Sequence, residues 1–175
     1  GCSNHCTYCA IPSIRGPFRS RPSESIIAEA QKLTSEGVKE LVVVAQDTTR
    51  YGEDLYGKNA LVPLLRALSM VEGIEWIRLL YLYPERIDDA LIDEIANNEK
   101  IVKYMDIPLQ HCNENVLKRM NRHGDREILT ALLNKIRERI NGVTIRTTFI
   151  AGFPGETEEE FNELCEFVEE MRFER

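Results

Sequence analysis

The feature that most constrains this chain is the alternation of short apolar runs with amphipathic segments. Residues 38–47 (VKELVVVAQD), 74–84 (IEWIRLLYLYP), 101–110 (IVKYMDIPLQ) and 143–155 (VTIRTTFIAGFPG) read as strands. Residues 23–37, 60–71, 88–98, 113–121, 126–141 and 157–171 read as helices. The punctuation agrees with that division. Ser23 and an Asp at 88 stand where N-caps belong, and Gly37 and Gly142 stand where helices stop. Pro63 is tolerable only in a first helical turn, and Thr157 with Glu160 spells a capping box. The valine-rich run at 41–44 reads as a strand buried on both faces. Strand then helix, repeated, implies an α/β chain of parallel βα units with right-handed crossovers. A barrel-type sheet and an open doubly wound sheet both satisfy that order. In either, ligands sit at the carboxyl ends of strands, here 46–48, 81–84, 110–112 and 152–155.

Composition narrows the function classes. No apolar run approaches the ~18 residues of a membrane span, so no membrane partner is expected. The five cysteines are odd in number and three are crowded together, unlike a secreted disulfide framework. A reducing, cytoplasmic setting is the expectation. A net charge of -7 is no basic footprint for nucleic acid and suits a basic protein partner better. Residues 1–10 already form a loop with no strand before it, and the final helix has no strand after it. The expectation is therefore a partial domain, with at least one further strand at each end.

The crowded cysteines are Cys2, Cys6 and Cys9, in GCSNHCTYCA. Thiolates at this spacing converge from one side of a loop. A structural zinc site needs four ligands, so it would have to recruit His5 from within the loop, or the distant His111 or Cys112. A [4Fe-4S] cluster usually takes four Cys, one per iron. With three, one iron stays open to bind a small molecule and pass it an electron.

Cys2, Cys6 and Cys9, with Tyr8 before the third, resemble the CxxxCxφC signature of radical S-adenosylmethionine (SAM) enzymes. TFIAGFPGE resembles that family's GxIxGxxxE element at Thr148, Ile150, Gly152 and Glu156, with Thr148 where the pattern has glycine. Gln46 and Asp47 occupy the place of a glycine-rich GGE that binds the methionyl amino group in many members. The resemblance implies a partial (β/α)6 TIM-like barrel of the radical SAM type across residues 1–175. It implies Cys2, Cys6 and Cys9 as cluster ligands, and SAM contacts at Tyr8, Gln46, Asp47, Gln110, Thr148, Gly152 and Glu156.

Within that family, GCSNHCTYCAIPSIRGPFRSRP, VAQDTTRYG, LLYLYP, DIPLQH and FIAGFPGET are similar to the methylthiotransferases, closest to the RimO type. That type modifies an aspartate of small-subunit ribosomal protein twelve. The MiaB type, which modifies tRNA adenosine, shares GCNxxCTYC and PLQ. It usually reads LGQNV for VAQDT and Ser for His after PLQ. The resemblance implies that an open iron chelates SAM and that one electron cleaves it to a radical. The radical then takes hydrogen from the aspartate β-carbon, where a methylthio group is installed. It also implies a second [4Fe-4S] cluster in an amino-terminal domain, a carboxyl-terminal TRAM domain, and an electron donor such as flavodoxin or ferredoxin.

Other residues carry weaker expectations. Arg15, Arg19 and Arg21 are a solvated basic run or a recognition site for a carboxylate of SAM or substrate. Cys165 shares a helical stripe with Phe161, Leu164 and Val168 and reads as core. Cys112 reads as a small buried residue, His5 as no ligand, His123 as loop, and Glu156 to Glu160 as a solvated helix start. Three functions follow: a radical enzyme acting on a ribosomal protein, the same chemistry on tRNA, or a non-catalytic zinc module.

Overall fold

A computed structural model describes the whole chain, Gly1–Arg175. Strands β1 (Glu40–Val43), β2 (Trp76–Leu79), β3 (Ile101–Asp106) and β4 (Thr144–Arg146) form one parallel sheet in the order β1-β2-β3-β4. Spatial order equals chain order. A doubly wound sheet reverses at a switch point, and this one does not, so it is an arc of a β/α barrel. The helices are α1 (Ile11–Arg15), α2 (Ser23–Ser35), α3 (Leu61–Ser69), α4 (Asp89–Asn97), α5 (Glu114–Arg119), α6 (Arg126–Arg139) and α7 (Glu158–Met171). The long ones touch in chain order, α2 on α3, α3 on α4, α4 on α6 and α6 on α7, as one layer against the sheet.

The pleat explains which residues meet that layer, because successive side chains point to opposite faces. Ile77, Leu79, Met105 and Ile145 are fully buried, together with Leu65, Ile92, Leu133 and Phe167 from the helices. The alternate residues form the other face, which is polar. There the Arg78 Nε donates to Glu40 at 2.6 Å and its guanidinium lies 5.2 Å over the Tyr104 ring. Arg146 donates to Asp106 at 2.7 Å.

Two burial expectations fail. Val42 and Val44 are 49% and 58% exposed, so β1 is not buried on both faces. It is one of the two edge strands, and it borders a groove of about 600 Å³ lined by Phe18, Ile26, Leu33 and Tyr51. Cys165 is exposed rather than core. Helix α7 has two apolar stripes, and the sheet selects Leu164, Phe167 and Met171, leaving Phe161 and Val168 outward. Phe167 meets Phe149 edge-on with ring centres 6.4 Å apart.

The element ends follow local chemistry. Asp88, Asn113 and Asp125 each accept a backbone N–H at a helix start. Ser23 does not cap. It is already the first helical residue of α2 after Pro22, and its N–H donates to the Tyr56 hydroxyl at 2.9 Å. The last strand is shorter than its apolar run, with three ladder residues and one further bridge, Gln110 to Phe149. The Thr157–Glu160 capping box forms with both reciprocal bonds. Thr157→Ala should lower unfolding free energy by about 1 kcal/mol, read as an earlier urea midpoint at unchanged slope.

Candidate active site

The cysteine loop lies across the carboxyl ends of the strands. Its first residues are held by Gly16 and β1: the Cys2 N–H donates to the Gly16 carbonyl at 3.1 Å, and Asn4 Nδ2 donates to Asp47 Oδ2 at 2.8 Å. Its middle rests on the turn that ends α5. The Thr7 N–H donates to the Met120 carbonyl at 3.0 Å, the Thr7 hydroxyl to the Arg119 carbonyl at 2.9 Å, and Asn121 Nδ2 to the His5 carbonyl at 3.0 Å. Between Cys6 and Cys9 the chain closes a turn, Cys9 N–H to Cys6 carbonyl at 3.0 Å. All three thiols are partly exposed. Partial exposure leaves these cysteines accessible to a group bound from outside. Cys112 is the opposite: fully buried, with its thiol pushed up to about 12 by burial and then by Glu163.

Tyr8, the residue between two of the thiols, faces inward at its hydroxyl. Arg122 Nη1 reaches that hydroxyl at 3.4 Å, and Cys6 is its other polar neighbour. Burial pushes Tyr8 up to about 12, opposed by the Arg122 charge.

The strand ends are stapled into one platform. The Thr48 N–H donates to the Tyr81 carbonyl at 3.0 Å and its hydroxyl to the Leu80 carbonyl at 2.6 Å. Buried Asp106 accepts from the Tyr81 N–H at 3.2 Å. Six non-glycine residues have positive φ, and four of them, His5, Tyr81, Gln110 and Asn121, lie at this end of the sheet. Strain concentrated there marks a functional surface held by its surroundings.

Of the residues matched to SAM contacts, Asp47 and Glu156 have partners within the chain. Asp47 is buried: one oxygen takes Asn4 and lies 3.4 Å from Arg86 Nε, and the other accepts from the Thr49 hydroxyl at 2.5 Å. Glu156 is not in the helix-start run but in the turn before it. One carboxylate oxygen accepts from the Phe153 N–H at 2.7 Å and the other lies 3.4 Å from His111 Nε2. The acidic run is thus only partly solvated, since Glu160 also pairs with Arg119 at 2.7 Å. Gln46, Thr148 and Gly152 are exposed at the strand ends. Gly152 holds φ 75 and Gly155 φ 81, which the GFPG turn needs glycine to adopt. The Gln110 backbone makes a two-bond bridge to β4's extension, Gln110 N–H to Thr148 carbonyl and Ile150 N–H to Gln110 carbonyl, both 2.8 Å. Arg21 is taken by Glu29 at 2.5 Å, whereas Arg15 and Arg19 carry no ion pair and line the groove beside β1.

His111 ties the two last strand ends together. Its Nδ1 accepts from the Asn113 N–H at 3.0 Å, which leaves Nε2 to face Glu156. Burial holds its pKa below the ordinary histidine value, with Glu156 opposing. A buried neutral histidine resists protonation in the fold while the unfolded chain protonates near pH ~6.5. Stability is then fully present above that pH and is lost as pH falls below it toward the lower folded value. Urea titrations should show the loss setting in below about pH 6.5, and His111→Gln should flatten it.

These contacts bear on the metal alternatives. No group of three or more His, Cys, Asp or Glu side chains is gathered around a single-ion position. Both distant residues considered as a fourth zinc ligand are already engaged, His111 through both nitrogens and Cys112 with the Glu163 carbonyl at 3.7 Å. The three loop cysteines are likewise not gathered into a metal-holding group. Asn4, Thr7, Asn121 and Arg122 escape sequence reading. Their partners lie 14 to 117 residues away, and no periodicity or spacing signals such contacts.

Comparison with known proteins agrees with this geometry. The family model described as "Radical SAM superfamily" matches residues 1–168. A ribosomal protein uS12 methylthiotransferase RimO from Clostridium novyi (strain NT) is 60% identical over 99% of this chain and 39% of its own length. Its namesake from Caldanaerobacter subterraneus subsp. tengcongensis is 58% identical over 100% of this chain and 40% of its own. The chain therefore spans about two fifths of the length of these relatives. Among solved structures, Escherichia coli coproporphyrinogen III oxidase (HemN), a radical SAM enzyme, aligns with a TM-score of 0.54 at 19% identity, over 89% of this chain and 36% of that one. That likeness is one of fold. With the cysteine loop, the strand-end platform and a family match that runs almost from end to end, the chain belongs to the radical SAM superfamily.

Proposed function

We propose that this chain is the radical SAM core of a methylthiotransferase that modifies an aspartate of ribosomal protein uS12. The observation that carries the reading is the identity of 54–60% to proteins of that name, spread over 99–100% of the chain. Cys2, Cys6 and Cys9 would hold a [4Fe-4S] cluster, and one iron would be left for the amino and carboxylate groups of SAM. When bound, the cluster supplies the single electron that cleaves SAM reductively.

The chain's own residues do the rest by position. Asp47, through Asn4, and the Arg119–Asn121 turn fix the front and the middle of the loop. Tyr8 closes the side of the loop toward the core. Gln46, Thr148 and Gly152, exposed at the strand ends, and Gln110 beside them would meet SAM there. Asp47 and Glu156 act one step back, since their carboxylates shape the loop and the GFPG turn. The polar sheet face carrying Glu40, Arg78, Tyr104 and Arg146 borders the space for the substrate segment. Arg15 and Arg19, unpaired at the groove, are the better placed of the three arginines for a carboxylate. A basic ribosomal protein suits the acidic charge of the chain. An amino-terminal domain with a second cluster, a TRAM domain and a flavodoxin- or ferredoxin-like donor complete the proposed enzyme, which works in the cytoplasm. No helix of the chain is long and apolar enough to cross a membrane.

Mass spectrometry of uS12 and of tRNA, from cells overproducing the full-length protein, tests the substrate. The expected product is a methylthio group on one uS12 aspartate. A methylthio group found on tRNA alone would contradict it.

A further inference from the structure

The sheet face turned away from the helices carries two arginines, each with one carboxylate, and the two pairs differ. Arg78 donates to Glu40 through Nε and lies over the Tyr104 ring, so an edge and a face of its guanidinium are both in use. Arg146 keeps more in reserve. Its Nη1 donates to Asp106 Oδ1 at 2.7 Å, yet the side chain is 42% exposed while that of Asp106 is 1% exposed. Its Nε and Nη2 have no partner in the chain and are not buried. A guanidinium presents five N–H donors in a planar fork that fits a carboxylate at two points. Arg146 therefore has donors left for a second carboxylate.

The pair is held in place from below and beside. Asp106 and Arg146 are direct partners in the register of β3 and β4, and the second Asp106 oxygen accepts from the Tyr81 N–H at 3.2 Å. Met105 and Ile145, their neighbours in the same strands, are fully buried against the helices. Because successive side chains alternate between faces, Arg146 points into the arc of the barrel, two residues before the exposed Thr148.

We propose that Arg146 binds the side-chain carboxylate of the substrate aspartate and so determines specificity for that residue. This rests on the uS12 reading above. The carbon to be modified is the one next to that carboxylate, so a carboxylate gripped at two points also fixes the position of the reacting carbon. Arg15 and Arg19 are less suited to this grip. They stand beside β1, at the opposite edge of the sheet, with no ion pair to order them. Ordering a long side chain on binding costs rotamer entropy, whereas Asp106 already orders Arg146.

The test is a double-mutant cycle on the affinity of the anaerobically reconstituted full-length protein for uS12. It pairs wild type or Arg146→Gln with uS12 carrying either the target aspartate or asparagine in its place. Wild type should bind the aspartate form about tenfold tighter or more. The Gln variant should bind both forms alike, near the weaker wild-type value, with SAM affinity unchanged. Arg146→Lys keeps a charge beside Asp106 but not the fork. It carries the test if the Gln variant fails to fold, and its aspartate preference should fall below that of wild type. An undiminished preference in the folded variant overturns the assignment, as does a wild type without preference or a loss of SAM affinity in place of the preference. Wild-type protein that modifies tRNA alone would overturn the uS12 reading, and this role with it; modified uS12 with an undiminished preference overturns the role alone.

Discussion

Cys6→Ala should abolish iron binding and SAM cleavage and leave the fold in place. Cys6 lies on a loop outside the apolar core, and its thiol is partly exposed. Its removal opens no core cavity, so circular dichroism and melting temperature should stay close to wild type. A cluster that starts with three thiolates and one open iron has no spare ligand. The loop offers no substitute, because the nearby His5 points its backbone into a positive-φ bend and the distant His111 is buried with both nitrogens engaged. Cys2→Ala and Cys9→Ala should behave alike. Cys112→Ala is the internal control. It removes a buried thiol from the core and should keep iron. Full iron retention by Cys6→Ala would remove that thiol from the ligand set.

Asp47→Ala should act first on stability and only through it on the site. The carboxylate is buried and serves three partners at once, Asn4, Thr49 and Arg86. Deleting it leaves the Arg86 Nε, already without a hydrogen bond, with no opposite charge beside it. Removing one partner of a buried pair typically costs about 3–5 kcal/mol; the low end applies here because Arg86 also pairs with Glu53. Freed Asn4 releases the front of the cysteine loop, so iron uptake should slow as well. Chemical denaturation should show the loss in the variant before any metal is added. If Asp47 instead served SAM directly, stability would hold and only SAM affinity would fall.

The two variants mark what the sequence could and could not convey. The helix and strand order was legible because it rests on local periodicity and caps: Asp88 and the Thr157–Glu160 box act where they were read. The thiols were legible because their spacing within one loop is itself the chemistry. Asp47 and Glu156 were legible as positions near the site but not as roles, since a carboxylate at a strand end looks the same whether it meets a ligand or a neighbouring loop. The fold adds the neighbours that these carboxylates meet, Asn4 for Asp47 and the Phe153 N–H for Glu156. The failures at Val42 and Cys165 have one physical source. Apolarity says that a side chain can be buried, while the sheet edge and the choice between two stripes of α7 decide whether it is. Arg122 was invisible because its partners, Pro108, Tyr83 and Tyr8, are joined only by the tertiary fold.

The central claim is that three loop thiols hold a cluster with one iron left open for SAM. Electron paramagnetic resonance of the anaerobically reconstituted, reduced protein, recorded with and without SAM alongside iron analysis, tests it most directly. The account predicts about four irons per chain and a reduced-cluster signal that changes when SAM is added. Stoichiometric zinc without iron, or a cluster signal indifferent to SAM, would contradict it.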